Sequence, residues 1–285
     1  MKIITYYCRS GKGRKNMKSL AERYGNWALV AGAAAGIGEG FTTMLAASGF
    51  SVILADRNAE TMHTLALKIE QVYRVETREL HLDLSEPDAS ARCLQAAAEN
   101  GCRLMVYVAA FSHVSRFTNL ESADLDKFLS VNNRTLLHMV YGFSKRLAAT
   151  GEPGAILLVS SLAGLLGPQY VATYAATKAF TIRLAESLHG EFREHGIAIM
   201  ACCPGSVLTP AYLAGKPDFS KIKPPFMDAG ETASYALKRL GRSTLCIPGR
   251  MNRLQYFFLL NLVPRRLASK LVNDAMKKIF GNAVK

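Results

Sequence analysis

Residues 28–38 read ALVAGAAAGIG, and this stretch carries much of the information about the fold. It begins inside a short apolar run, residues 27–31, and leads into a helical pattern over residues 39–48. Such a glycine-rich connection fits a phosphate-binding loop, but it fits a plain structural turn equally well, because these spacings are common in alanine-rich chains. The rest of the chain has to decide between the two.

The strand and helix of this stretch are the first of an alternating series. Further short apolar strands are predicted at residues 51–54, 78–82, 104–108, 155–159 and 198–202, with helices over 59–73, 86–100, 121–149 and 173–194. This alternation predicts a doubly wound α/β fold, a parallel sheet of the Rossmann type with helices on both faces. Ligands of such sheets bind beyond the carboxyl ends of the strands, where strand order reverses, and the glycine loop follows the first strand.

Composition and charge narrow the class of protein. The chain has 285 residues, 49% of them hydrophobic, and a net charge of +13. That charge is confined to the ends, since residues 1–25 hold seven Lys/Arg and one acid and residues 238–285 hold eleven and one. A nucleic-acid enzyme usually spreads basic residues over its working face, so we expect no nucleic-acid partner.

The cysteines and the apolar runs predict the compartment. The six cysteines show neither Cys-x-x-Cys nor metal-ligand spacing, and no run of eighteen apolar residues spans a membrane. We therefore expect a reduced, cytoplasmic protein without a metal. We divide the chain into a basic N-terminal extension (1–25), one Rossmann-type domain (26–250) and a basic amphipathic helical tail (251–285).

The glycine loop is chemically suited to a dinucleotide. Gly32 permits the tight turn, Gly36 lets the backbone approach pyrophosphate, and Gly38 lets the helix pack closely on the sheet. Asp56 stands eighteen residues after Gly38, where its carboxylate can accept from the adenosine ribose hydroxyls and would repel a 2′-phosphate. This favours NAD(H) over NADP(H), although Arg57 could hold the phosphate if Asp56 turned aside. The alternative is a turn, Asp56 to Asn58, that caps the next helix.

A second constellation carries the chemistry. Tyr174 and Lys178 are one helical turn apart and share a face, and Ser161 ends a strand thirteen residues before Tyr174. A nearby ammonium favours phenolate, so we expect a lowered tyrosine pKa and a role in proton transfer. The alternative is an ordinary surface pair.

These residues together resemble the short-chain dehydrogenase/reductase family over about residues 26–250. The resemblance rests on six motifs in order: Gly32-x-x-x-Gly36-Ile37-Gly38, Asp83, Asn132, Ser161, Tyr174-x-x-x-Lys178 and Pro204-Gly205-x-Val207-x-Thr209. It implies Tyr174 as general acid/base, Lys178 as its partner and a ligand of the nicotinamide ribose, Ser161 as a donor to the reacting oxygen, and Asn132 as the holder of a water. The cofactor site it implies comprises Gly32, Gly36, Ile37, Gly38, Asp56, Arg57, Asp83, Leu84, Ala109, Tyr174, Lys178, Pro204, Val207 and Thr209.

Two departures from the family pattern lie close to that site. Ala31 stands where the family usually has Thr, and Val108, Ala109 and Ala110 stand where it usually has Asn-Ala-Gly. The first removes one hydroxyl bond inside the loop. The second removes an amide side chain and adds a β-methyl at Ala110 that we expect to crowd the backbone.

The variable segments predict an apolar substrate. Residues 111–117, 162–171 and 211–226 supply Phe111, Val114, Phe117, Leu165, Leu166, Tyr170, Tyr212 and Leu213, although several of these also fit a core role. We expect an NAD(P)-dependent oxidoreductase that transfers hydride between nicotinamide and a hydrophobic secondary alcohol or ketone, in a homo-oligomer. The alternatives are an NADPH-dependent 3-oxoacyl reductase and a catalytically idle cofactor-binding scaffold.

The tail contains an apolar run, residues 255–263, and a second helix after Pro264. On that helix Leu267, Leu271, Val272, Ala275 and Ile279 share one face, while Arg266, Lys270, Asn273 and Lys277 face away. The pattern fits peripheral contact with an anionic membrane, and it fits packing on the domain or on a partner subunit.

Overall fold

One parallel sheet forms the centre of the molecule in the computed structural model, which describes residues 20–284. Its strands are β1 (Trp27–Ala31), β2 (Ser51–Asp56), β3 (Thr77–His81), β4 (Leu104–Tyr107), β5 (Gly154–Val159), β6 (Ile197–Cys202) and β7 (Leu245–Cys246). Their order in the sheet is β3-β2-β1-β4-β5-β6-β7, with every pairing parallel. Strand order therefore reverses between β1 and β4, where the glycine loop lies.

Helices pack on both faces of this sheet, as the alternation predicts. They are α1 (Ile37–Ala46), α2 (Ala59–Tyr73), α3 (Ala89–Glu99), α4 (Ser122–Leu129), α5 (Leu136–Thr150), α6 (Ala172–Glu194), α7 (Pro210–Ala214), α8 (Ala229–Arg239), α9 (Arg250–Asn261) and α10 (Arg265–Phe280). Two core clusters result, one on each face, and neighbouring residues Leu29 and Val30 of β1 belong to different ones. Burial on both faces explains why the strands read as continuous apolar runs.

Two elements differ from the sequence prediction. The helix predicted over residues 121–149 is interrupted, because the chain forms α4, a π-helical turn at Ser130–Thr135 and then α5. The two-residue strand β7 was not predicted, since a pair this short shows no periodicity. It extends the sheet beyond β6 through the pairs Ala201 with Leu245 and Cys202 with Cys246.

Most of the predicted N-terminal extension lies outside the described residues. Residues 20–24 are helical, and Leu20 and Tyr24 are buried in the core cluster that also contains α1 and α8. The packing of the domain thus starts before residue 26, inside the predicted extension.

The tail forms two helices that meet at Pro264, as predicted. The predicted apolar face of α10 is divided, because Ile279 is buried whereas Leu267 and Leu271 are about half exposed. The expectation that Asn273 faces away is wrong, since its side-chain oxygen accepts a hydrogen bond from the Gln169 amide at 2.9 Å. This polar contact fixes the rotation of α10 and turns part of the apolar stripe outward.

Candidate active site

The glycine loop connects β1 to α1 at the carboxyl edge of the sheet. Gly32 and Gly36 have φ angles of 82° and 57°, which favour glycine. A β-carbon at Gly38 would overlap the carbonyl group of Gly32, so glycine is required there for the helix to start so close to the strand. Gly36 is the N-cap residue of α1 and provides no side-chain cap. The Gly38 and Glu39 amides of the first turn donate to the Ala35 carbonyl, so an anion there would be held by the positive end of the helix. The loop therefore fits a pyrophosphate group.

Asp56 forms the turn that the sequence allowed as an alternative, and its contact with ribose hydroxyls stays a prediction. Its Oδ2 accepts from the Ala34 amide at 2.9 Å and its Oδ1 accepts from the Asn58 amide at 3.0 Å, so the carboxylate ties the glycine loop to the turn after β2. Asn58, and not Asp56, caps α2, through a hydrogen bond from Thr61. A carboxylate has about four acceptor positions, so capacity for ribose hydroxyls remains. The Arg57 carbonyl contacts His81, and the Arg57 side chain is exposed.

The turn after β3 contributes Asp83 and Leu84. Burial raises the pKa of the Asp83 carboxyl, but hydrogen bonds from Ser85, helped by the charges of Arg57 and Lys127, outweigh it and lower the pKa overall. Leu84 is buried, and its carbonyl accepts from Thr135 at 2.7 Å. Asp83 is thus held as a carboxylate next to the carboxyl end of β3.

The segment that departs from the family pattern is joined to the sheet through its backbone. The amides of Val108 and Ala109 both donate to the Ala31 carbonyl at 2.9 Å, and the Ala109 backbone lies against Gly32. The expectation that Ala110 crowds the backbone is wrong, because Ala110 is exposed and its φ is not positive.

The loop after β6 approaches the glycine loop from the other side. A β-carbon at Gly36 would lie 2.7 Å from the Thr209 methyl group, so these two loops are in close contact. The Thr209 hydroxyl caps α7, Val207 is buried and pairs with Met227, and the Pro204 carbonyl accepts from the Leu162 amide at 3.1 Å. Ile37 is half-buried against the core next to the loop. The predicted cofactor residues from Asp56 to Thr209 therefore lie along the carboxyl edge of the sheet, and their contact with a cofactor stays a prediction.

The predicted proton-transfer residues lie together at the edge formed by β5 and α6. Ser161 follows β5 and forms a hydrogen bond with Tyr174 in the first turn of α6. Lys178 is only 2% exposed; its Nζ donates to the Val159 carbonyl at 2.8 Å and lies 5.7 Å from the Tyr174 ring centre. An ordinary surface pair is thus excluded, because the ammonium group is buried behind the tyrosine.

The pKa of Tyr174 differs from the sequence prediction. Burial raises it, and the hydrogen bond with Ser161 only partly offsets this, so the predicted lowering by Lys178 is wrong for the protein by itself. Burial also lowers the pKa of Lys178 to about 8. Both shifts have the same physical cause, since removal from water disfavours the charged form of each group.

Asn132 lies in the π-helical turn and joins two parts of the site. Its Oδ1 accepts from the Phe111 amide at 2.7 Å, while its Nδ2 donates to the Phe111 carbonyl and to the Thr177 hydroxyl, each at 3.0 Å. The side chain therefore fixes the loop after β4 against α6. The water that Asn132 is expected to hold stays a prediction. Thr177 was missed, because its role appears only through this contact between distant segments.

Two further buried groups next to Lys178 were also missed. The Ser160 hydroxyl donates to the Lys178 carbonyl at 2.7 Å, and Cys203 lies close enough to influence the pKa of both Tyr174 and Lys178. Burial raises the pKa of the Cys203 thiol to about 12, so it stays neutral. The pair Cys202-Cys203 before Pro204 was the visible signal in the sequence.

The substrate side is apolar and includes the tail. A cavity of about 300 Å³ beside the start of α6 is lined partly by the predicted residues Phe117 and Tyr170. Tyr212 packs against three aromatic rings, those of Phe219, Phe226 and Phe280. Leu166 is instead buried with Leu259 and Ala268 of the tail, and Leu165 packs on the core. Phe111 packs edge-on against Phe128, Val114 is half-buried, and Leu213 is exposed.

The family model for short chain dehydrogenases matches residues 26–215, two thirds of the chain. The chain belongs to the short-chain dehydrogenase family. This short-chain dehydrogenase is an NAD(P)-dependent oxidoreductase, and the alternative of an idle scaffold does not hold. Among its described residues, no cluster of three or more His, Cys, Asp or Glu side chains could hold a metal ion.

Similar proteins include two kinds of enzyme. The 7beta-hydroxysteroid dehydrogenase of Clostridium sardiniense is 31% identical over 236 residues, which covers 81% of this chain and 88% of that protein. Very-long-chain 3-oxoacyl-CoA reductase-A of Danio rerio is 29% identical over 223 residues, covering 77% and 70%.

Solved structures agree with the fold. A 7beta-hydroxysteroid dehydrogenase structure superposes with a TM-score of 0.80 at 27% identity and covers 89% of this chain and 98% of its own. A short-chain dehydrogenase from Sphingobium yanoikuyae in complex with NADPH has a TM-score of 0.72 at 23% identity, covering 82% and 91%, and supports the fold alone.

Proposed function

We propose that this short-chain dehydrogenase transfers hydride between NAD(H) and a bulky, hydrophobic secondary alcohol or ketone, with Tyr174 as the general acid/base. The observation that carries the proposal is the buried Lys178 ammonium, which donates to the Val159 carbonyl at 2.8 Å and lies 5.7 Å from the Tyr174 ring centre. Ser161 lies beside Tyr174, at the same sheet edge as the glycine loop. A nicotinamide cofactor bound there supplies the hydride; the protein supplies orientation and one proton.

The remaining chemistry comes from this chain's own side chains. Tyr174, whose pKa is raised by burial, carries its proton at neutral pH and can donate it to the oxygen of a ketone. Ser161 donates a second hydrogen bond to that oxygen. Lys178 would hold the nicotinamide ribose, and its charge stabilises the phenolate that Tyr174 becomes after donation. Asn132 keeps α6 in register with the loop after β4.

Asp56 supports the preference for NAD(H). Its carboxylate is positioned by Ala34 and Asn58 next to the pyrophosphate loop, where it would repel a 2′-phosphate. Titration of the protein with NADH and NADPH, followed by nicotinamide fluorescence, is expected to give at least tenfold tighter binding of NADH, roughly 1.4 kcal/mol. A tenfold preference for NADPH would contradict this part of the proposal.

The apolar substrate is supported by the aromatic cluster around Tyr212 and by the hydroxysteroid dehydrogenases among the relatives. A second candidate is an NADPH-dependent 3-oxoacyl reductase, which the Danio rerio relative and the exposed Arg57 favour. A panel of hydroxysteroids, bulky ketones and 3-oxoacyl thioesters, assayed at 340 nm with both cofactors, separates the two. We expect turnover of the hydroxysteroids or bulky ketones with NAD(H). Faster turnover of the 3-oxoacyl thioesters with NADPH would favour the second candidate.

The remaining expectations concern assembly and location. A cytoplasmic homo-oligomer is part of this proposal, supported by the exposed apolar residues Leu129, Leu137 and Tyr141 on α4 and α5. Light scattering of the purified protein tests it, and a monomer at micromolar concentration would contradict it. Peripheral membrane contact through residues 251–285 also belongs to the proposal.

A further inference from the structure

The exposed apolar side chains of this protein are concentrated in one place. Of the sixteen large hydrophobic residues that are exposed within residues 20–284, eight lie between residues 251 and 271. They are Met251, Leu254, Phe257, Phe258, Leu260, Leu262, Leu267 and Leu271, and we call this set the tail face. A patch of this kind on a water-soluble domain marks an interaction surface.

The inner side of α9 is firmly attached to the domain. Leu259 is buried against Leu166, and the buried Asn252 donates to the Pro248 carbonyl at 3.0 Å. Arg253 donates to the Ile247 carbonyl at 3.2 Å, and its guanidinium group lies 4.9 Å from the centre of the Tyr235 ring. These contacts fix the rotation of α9 about its axis. The tail face therefore points outward and cannot turn inward without breaking them.

Charge indicates what binds there. Residues 250–278 carry seven basic side chains and a single acid, Asp274. In the described part of the chain none of these seven cations forms an ion pair with a carboxylate, and six of the seven are exposed: Arg250, Arg265, Arg266, Lys270, Lys277 and Lys278. A symmetric contact between two copies would bring two such cationic faces together, which is unfavourable. An anionic bilayer surface satisfies both the charges and the apolar side chains.

We propose that the tail face docks on an anionic lipid bilayer, with α9 and the start of α10 lying in the interface. None of the helices in the described part is long and apolar enough to cross a membrane, and α9, with 12 residues, is about 18 Å long, which suits interfacial binding. The apolar side chains enter the headgroup boundary while the arginines and lysines contact lipid phosphates.

Docking has a consequence for the substrate, which rests on the proposed function. The tail is bound to all three substrate-side segments: Asn273 to Gln169, Phe280 to Tyr212, and the Val284 carbonyl to Arg116. The docked face and these segments therefore form one unit. A bilayer-dissolved alcohol or ketone is thereby brought close to the site that would oxidise or reduce it.

The test is vesicle binding by the full chain. Wild-type protein is sedimented with vesicles of phosphatidylcholine alone and with vesicles containing about 30 mol% phosphatidylglycerol. We compare Leu254→Asp/Phe257→Asp with the control Leu67→Asp/Val72→Asp, which places the same charges on exposed apolar positions of α2. Wild type and control are expected to bind the anionic vesicles, and the tail-face variant at least tenfold more weakly. All four residues are at least 45% exposed, so folding is expected to be retained, and circular dichroism checks this.

Every other outcome overturns the proposal. Equal binding of the three proteins places the contact elsewhere, and equal binding to both kinds of vesicle removes the role of the basic residues. A mass that halves for the tail-face variant alone, measured by light scattering, would show that a second copy covers this face. Binding is measured without turnover, so failure here is distinguishable from failure of the proposed oxidoreductase activity, which the substrate panel reports independently.

Discussion

The cofactor side and the substrate side of the cleft are held together in different ways. On the cofactor side, backbone groups of adjacent strands bond directly, as in the pairs Gly32 with Ala55 and Val108 with Ala31. On the substrate side, side chains join segments far apart in sequence: Gln169 and Asn273 are 104 residues apart, and Arg116 and Val284 are 168 apart. The cofactor side is thus built into the sheet, whereas the substrate side depends on the tail.

The largest effect is expected on the cofactor side, at Gly38. Gly38→Ala places a methyl group on the Gly32 carbonyl, so the loop has to move, and we expect cofactor affinity to fall by about a hundredfold or more, or the fold to be lost. Gly190→Ala in α6 is the control, because a β-carbon there meets nothing within 4 Å. It is expected to raise the unfolding free energy by about 0.5–1 kcal/mol. Fluorescence titration and thermal unfolding measure both, and normal NADH binding by Gly38→Ala would contradict the account of the loop.

The next largest effect is expected at Lys178, which in the proposed function acts on both the cofactor and Tyr174. Lys178→Met keeps an apolar side chain of similar length but removes the charge that stabilises the Tyr174 phenolate, so kcat should fall by about 10²–10⁴-fold. The exposed Lys145→Met serves as the control and should be close to wild type. Steady-state kinetics with saturating cofactor measure the change, and an unchanged kcat would remove Lys178 from the mechanism.

A smaller effect is expected on the substrate side. Asn273→Ala removes the hydrogen bond to the Gln169 amide and loosens the loop before α6, so KM for the alcohol or ketone should rise about fivefold, near 1 kcal/mol. Cofactor affinity should not change, because the hydrogen bond between Asn273 and Gln169 does not involve the glycine loop. Asn261→Ala is the matched control, since that amide donates only to a carbonyl of its own helix. A change in NADH affinity with unchanged KM would reverse the proposed division of the cleft.

The smallest effect is on stability against pH. The pKa of Lys178 is about 8 in the folded protein and 10.5 ordinarily, so between these values the unfolded chain binds more protons. The contribution of Lys178 to the unfolding free energy therefore increases as pH rises from 8 toward 10.5. Denaturant unfolding of wild type and Lys178→Met across this range isolates it, because Met does not titrate. The difference between the two proteins should change in favour of wild type with rising pH, and a constant difference would show that Lys178 is not desolvated.

The comparison of the two sides also explains what the sequence could predict. The strand series, the glycine loop and the Tyr174–Lys178 spacing are local patterns, and all are found in the fold as expected. The contacts of Asn273 and Thr177 join segments that are distant in sequence, so no local sequence pattern predicts them. The pKa of Tyr174 was predicted in the wrong direction because spacing gives the proximity of a charge but not the burial of both groups, and burial dominates here.

The division of α10 has the same origin. Helical periodicity placed Leu267, Leu271 and Ile279 on one face, and an isolated helix would present them so. The bond between Asn273 and Gln169, together with the contact of Phe280 with Tyr212, decides which part of that face is buried. Tertiary contacts therefore leave an apolar surface exposed next to basic residues.

In the proposed reaction, Tyr174 transfers the proton. The most direct test measures, in the same preparation of Tyr174→Phe, the dissociation constant of NADH and the rate of ketone reduction. We expect NADH affinity within about twofold of wild type and turnover reduced by at least about 10³-fold, because the ring is kept and only the proton donor is lost. Turnover close to wild type with intact NADH binding would contradict it.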